Sequence, residues 1–123
     1  MPLVYDAGAL IAADNDDRQF WAGHRAELEA GSRPITTAPV VAQVSRSSRQ
    51  ARLRMLLAAC EVVALDEAGA HAVGALLAAA GTSDVVDAHV ALCGAGREVV
   101  TSDAGDLEVL ATYVEPRPLV RAV

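Results

Sequence analysis

The chain has 123 residues, 53% hydrophobic and only 3% aromatic, with a net charge of −6. That length predicts one domain spanning 1–123 with a core of small aliphatic side chains, and the composition excludes a disordered chain. The acidic total excludes a generally basic nucleic-acid coat but leaves room for a local arginine patch, all ten basic residues being arginine.

In chain order, Val4 and Tyr5 predict a strand ending at Asp6, followed at once by a helix through Ala-Gly-Ala-Leu-Ile-Ala-Ala. Asp6 then stands at the carboxyl end of a strand, where open α/β sheets bind ligands. A second helix is expected from Asp17 to about Ala30, with Phe20, Trp21, His24 and Leu28 as its apolar stripe and Gly31 as its stop. Pro34-Ile-Thr-Thr predicts a short strand, Pro39 opens a helix, and Ala51 to Cys60 predicts another with Leu53, Leu56, Leu57 and Cys60 on one side. Glu61-Val-Val-Ala-Leu reads as a strand, and Asp66 caps a helix running to Ala80. Asp84 starts the next helix, which Gly94 and Gly96 end. Glu98-Val-Val-Thr is a strand delivering Ser102 and Asp103, a last helix runs from about Asp106 to Ala111, and Tyr113-Val-Glu is a candidate edge strand. Alternating strands and helices favour a parallel sheet covered on both faces.

Five carboxylates fall at the predicted carboxyl edge of that sheet: Asp6, Asp84, Asp87, Asp103 and Asp106. Asp84 and Asp87, three apart at a helix start, share a face. Each acid alone has a plain reading as a helix cap or dipole partner. Three separate segments converging on one edge favour a cation site, since like charges raise one another's pKa and a divalent ion offsets the repulsion. With no histidine or cysteine beside them, oxygen ligands suit Mg²⁺ or Mn²⁺ better than zinc, and such an ion polarises a phosphate and activates water, as in a nuclease.

Arg46, Arg49 and Arg52, with Arg54, read as a broad arc of a helix opposite the leucines, either a solvated basic face or a contact for a phosphate backbone. His24 and His71 read as structural or surface residues, and His89 as pointing away from Asp87. Asp14, Asp16 and Asp17 read as a solvated capping loop, and Cys60 and Cys93 as buried free thiols without zinc spacing. The start MPLVYDAG lacks a basic n-region, and the longest apolar segment, around Ala75 to Ala80, falls short of the ~18 residues of a membrane span. A cytoplasmic protein with no membrane partner is expected.

The segments VYDAGALIA, SDVVDAHVAL and VVTSDAGDL resemble the PIN-domain family, specifically the VapC-like toxins of bacterial toxin–antitoxin pairs, over almost the whole chain. The resemblance implies a three-layer α/β/α sandwich with a parallel sheet of four to five strands, and Mg²⁺- or Mn²⁺-dependent hydrolysis of RNA by a metal-bound water. It maps the metal-binding, catalytic acids onto Asp6, Asp84 and Asp103, with Asp87 and Asp106 as additions, and gives Thr101 or Ser102 a supporting hydroxyl role. It also implies a homodimer, for which the apolar faces between Ala38 and Cys60 are the expected interface, and a small cognate antitoxin. One position departs: the family's glutamate in the helix after the second strand is here Gln43, which accepts a hydrogen bond but brings no charge and no general base. The rival expectation is therefore a PIN-like binding module with weakened or lost chemistry. A receiver-like or phosphatase domain is disfavoured, because the chain has no lysine and no DxD pair after the first strand.

Overall fold

The computed structural model describes residues 2–123. Among them, five strands form one sheet: β1 (Val4–Tyr5), β2 (Ile35–Thr37), β3 (Glu61–Val63), β4 (Glu98–Thr101) and β5 (Leu119–Ala122). Seven helices accompany them: α1 (Ala7–Asp14), α2 (Arg18–Glu29), α3 (Ala38–Val44), α4 (Ala51–Ala58), α5 (Glu67–Ala80), α6 (Val85–Cys93) and α7 (Ala104–Ala111). The strand order is β3-β2-β1-β4-β5 and every pairing is parallel. This is the three-layer α/β architecture with a parallel sheet expected from the sequence. α1 packs with α3 and α4, while α5, α6 and α7 pack with one another, so the two groups lie on opposite faces of the sheet. None of the described helices is singly long and apolar enough to cross a membrane.

The core is aliphatic, as the composition demands: Val4, Leu10, Val40, Leu53, Leu56, Val90, Val99 and Leu107 are fully enclosed around Tyr5. Each such side chain contributes about 1.5–3 kcal/mol by leaving water. β1 is buried throughout and β4 from Val99 to Thr101, as central strands of a parallel sheet should be. Chain direction reverses between them: β1 leads outward to β2 and β3, and the chain then returns to lay β4 on the other side of β1. That switch point opens a crevice between the carboxyl ends of β1 and β4, and the residues that follow those strands are Asp6 and Ser102-Asp103.

Four local expectations are corrected. Tyr113-Val-Glu is not a strand. Its chain turns there, with Val114 buried beneath the end of α7 and Pro116 O accepting from Gly96 N. The edge strand is β5, after Pro118, with Leu119 to Ala122 registered on Glu98 to Thr101. The last helix begins at Ala104, placing Asp103 at its N-cap and Asp106 in its first turn. Arg46 and Arg49 are not on a helix: α3 stops at Val44, and Gln50 Oε1 accepts from the backbone N–H groups of both Arg46 and Ser47, while Ser47 Oγ accepts from Arg49 N. Side chains that satisfy the backbone in this way compete with helix formation. Only Arg52, with Arg54, lies in α4, and Arg52 pairs with Asp16 at 3.3 Å. Leu28, expected in the apolar stripe of α2, is exposed.

Candidate functional site

Asp6 is 4% exposed, the one carboxylate among the described residues that is buried. The sheet holds it on both sides: its N–H donates to Val100 O at 3.0 Å, and its carbonyl accepts from Ala9 and Leu10 N–H groups as α1 begins. A buried carboxylate needs a donor, and Thr101 supplies one, its hydroxyl donating to Asp6 Oδ2 at 2.8 Å. The same hydroxyl oxygen accepts from Asp103 N at 2.9 Å. Thr101 thus ties the acid after β1 to the backbone of the acid after β4. Thr36 adds a strut from β2, donating to Tyr5 O at 2.9 Å, and Thr37 caps α3 by accepting from Val40 N.

Gly81, in the left-handed region at φ 71°, ends α5 and releases the chain toward Asp84. Asp84 caps α6, Oδ1 accepting from Asp87 N at 3.0 Å, so the plain capping role is real and leaves the second oxygen uncommitted to that bond. Asp87 points from the first turn of α6 into a cavity of about 270 Å³ shared with Ser83, Asp84, Asp106 and Leu110. Oxygens of Asp87, Asp103 and Asp106 come within 4.8 Å of one another.

The electrostatics place all five acids in one cluster. Burial, then the charges of Asp84, Asp6, Asp103 and Asp106, push the Asp87 carboxyl up to about 7. Asp103 is also raised, chiefly by its contact with the Asp106 carboxyl. Carboxylates in this condition either hold protons near neutrality or take up a cation. An all-oxygen donor set of half-exposed and exposed aspartates fits a hard divalent ion that keeps part of its water shell.

Of the residues singled out in the sequence, Asp6, Asp84, Asp87, Asp103, Asp106 and Thr101 are brought together. The closest carboxylate trio, Asp87, Asp103 and Asp106, shares only Asp103 with the trio that the family resemblance put first. Ser102 is exposed, and its part is steric rather than through a hydrogen bond to an acid: a Cβ on Gly8 would sit 2.7 Å from Ser102 N. Gly8 therefore lets the first turn of α1 touch the β4–α7 loop, a role that its place in an alanine-rich helix hid. Gln43 is exposed near the end of α3. Arg46 is drawn back onto its own loop, donating to Ala42 O and Ser45 O. His24 and His89 are buried and His71 is exposed.

No family model matches the sequence, and no curated protein matches it. The fold is similar to a chain in the crystal structure of VapBC2 from Rickettsia felis bound to a DNA fragment from their promoter, with a TM-score of 0.72 over 100% of this chain and 99% of that chain. At 15% identity that likeness is one of fold, and the architecture it shares is the α/β/α sandwich with a parallel sheet expected from the sequence.

Proposed function

We propose that this chain is a metal-dependent endoribonuclease of the VapC-like kind, acting as the toxin of a toxin–antitoxin pair. The observation that carries the reading is the convergence of five aspartates from three separate segments at the switch point of a parallel sheet, around an Asp87 whose carboxyl is raised to about 7. The likeness to a VapBC2 chain supports the toxin assignment. A bound Mg²⁺ or Mn²⁺ would neutralise the cluster, polarise the scissile phosphate and lower the pKa of a water to make the nucleophile.

The chain's own residues do the rest. Asp87, Asp103 and Asp106 would hold the ion, with Asp84 and Asp6 closing the negative field around it. Thr101 keeps Asp6 Oδ2 in one orientation. Asp87, its carboxyl raised to about 7, would carry a proton below neutrality and would have to be ionised to serve as a ligand. Arg46, Arg49 and Arg52, on the loop and first turn of α4, contact the RNA backbone away from the acids. A homodimer through the α3–α4 region and a small antitoxin that covers the acidic cleft complete the proposal.

A second reading has one observation in its favour, the uncharged Gln43 in the helix where the resembling family carries glutamate. On that reading the chain keeps the fold and a partner surface without cleavage. Incubating the purified protein with a mixed pool of structured RNAs in Mn²⁺, Mg²⁺ or EDTA, beside Asp6→Asn, separates the two. Cutting that requires metal and is lost in the variant establishes the nuclease. A folded, antitoxin-free protein that cuts under no condition establishes the binding module.

A further inference from the structure

A second cavity, larger than the one beside Asp87, lies on the opposite face of the same strand ends. It measures about 390 Å³, within the range of small-ligand pockets, and nothing in the proposed cleavage uses it. Its floor is a row across three strands: Tyr5, Val100 and Arg121 are register partners on β1, β4 and β5. Side chains alternate along a strand, so this row faces away from Thr101 and toward α2. It remains adjacent to the acids in sequence, Tyr5 preceding Asp6, and Val123 N on the cavity wall donates to Thr101 O at 2.8 Å.

The lining combines one half-buried aromatic ring, Phe20, stacked on buried His24, with hydrogen-bonding groups. Phe20 meets Tyr5 edge-on at 5.2 Å between ring centroids. Tyr5 Oη and His24 Nδ1 are 2.9 Å apart, and His24 is 4% exposed. Burial lowers the His24 pKa and raises that of Tyr5, so a neutral phenol and a neutral imidazole share this hydrogen bond. Gln19 brings an amide to the rim, and Arg121 a guanidinium whose pairing with Glu98 is at the surface and half-exposed, hence weak enough to yield to another anion. The wall on the α2 side is Gly23. Glycine is the poorest helix former after proline, yet Gly23 occupies the middle of α2 on the cavity rim, exposed, and a Cβ there meets no atom within 4 Å.

We propose that this cavity is a base-binding subsite, receiving one unstacked nucleobase of a single-stranded RNA whose backbone crosses the carboxyl edge to the aspartate cluster. The inference rests on the nuclease reading for its substrate class. The half-buried Phe20 ring with a mixed donor and acceptor rim suits a planar heterocycle, and splayed-out bases are how single-stranded RNA is read. An apolar partner side chain would leave Gln19 and Arg121 without a role.

The test titrates the four nucleoside 5′-monophosphates and ribose 5-phosphate, in EDTA, against the fluorescence of Trp21, the single tryptophan, whose ring lies 5.6 Å from His24. Saturable responses to nucleotides, absent with ribose 5-phosphate, are expected. Gly23→Leu, which fills the cavity and favours the helix, should weaken them about tenfold or more while leaving Mn²⁺ affinity unchanged; Phe20→Leu, which keeps bulk but removes the ring, should weaken them too. Equal responses to ribose 5-phosphate, no response to any nucleotide, or unaltered affinity in Gly23→Leu overturns the subsite. Nucleotide binding by a protein that cleaves no RNA keeps the subsite and rejects the nuclease.

Discussion

At the scale of single residues, the centre depends on one hydroxyl and one strained carboxyl. Replacing Thr101 by valine keeps the volume but leaves buried Asp6 without its donor. That should cost about 1–3 kcal/mol of stability and weaken Mn²⁺ binding by about 10- to 100-fold, measured by urea unfolding and calorimetric titration. Thr101→Ser should recover most of both losses. Asp87 gives a pH signature. Its folded pKa of about 7 stands above an ordinary 3.8, so between those values the native state holds a proton that the unfolded chain has released. Stability of the metal-free protein is therefore expected to fall as pH rises from about 4 to about 7, and to lose no more from this group above that. Asp87→Asn should flatten the slope and raise the Tm of the metal-free protein at neutral pH, while abolishing the further rise that Mn²⁺ gives the parent. A parent Tm indifferent to pH across this window would refute the clustered charge. The aspartates were legible in the sequence because acid at the ends of hydrophobic runs is easy to see. Thr101 was visible only as a threonine beside them, and its bonding to both Asp6 and Asp103 depends on a register that the sequence does not display.

At the scale of elements, the critical contact is between the first turn of α1 and the loop after β4. Gly8→Ala puts a methyl group 2.7 Å from a backbone nitrogen, so the loop carrying Asp103 must move. The expected result is about 1–3 kcal/mol of destabilisation together with weaker Mn²⁺ binding, whereas alanine at exposed Gly105, with open space around its Cβ position, should leave folding unharmed. The segment from Ser45 to Gln50 shows where periodicity misleads. Its arginines fall at helical spacing, but Ser47 and Gln50 offer the backbone a competing set of partners, and the chain takes the loop. A loop presents arginines without a fixed helical face. If these residues bind RNA, replacing Arg46 and Arg49 by alanine should weaken binding across sequences alike and reduce the salt slope by about one unit for each contact removed, as read by filter binding at several salt concentrations. The missed β5 has a related cause: Pro116 and Pro118 drew attention to the residues before them, while the short run Leu119 to Ala122 pairs only because β4 lies alongside.

At the scale of the molecule, strand order decides what the sequence cannot. Alternating elements predict a parallel sheet, but only the order β3-β2-β1-β4-β5 puts Asp6 beside Asp103 and separates the aspartate cavity from the one under α2. The second cavity was illegible because its walls come from β1, β4, β5 and α2, and the motifs in β1 and β4 point to the acids rather than to the face under α2. A net charge of −6 also sets a condition for the proposed RNA binding: divalent cations should strengthen it beyond their effect on stability, and EDTA should reverse the gain in the same filter-binding experiment.

The hydrogen bond from Thr101 to Asp6 spans 95 residues of chain, and this has a consequence during synthesis. Asp6 emerges from the ribosome 95 residues ahead of Thr101, its partner in space. A growing chain therefore carries no assembled centre until β4 and the start of α7 have been released and β4 has docked beside β1. Whatever chemistry the finished protein performs, its nascent form is disarmed by topology alone, without an inhibitor having to be present at translation.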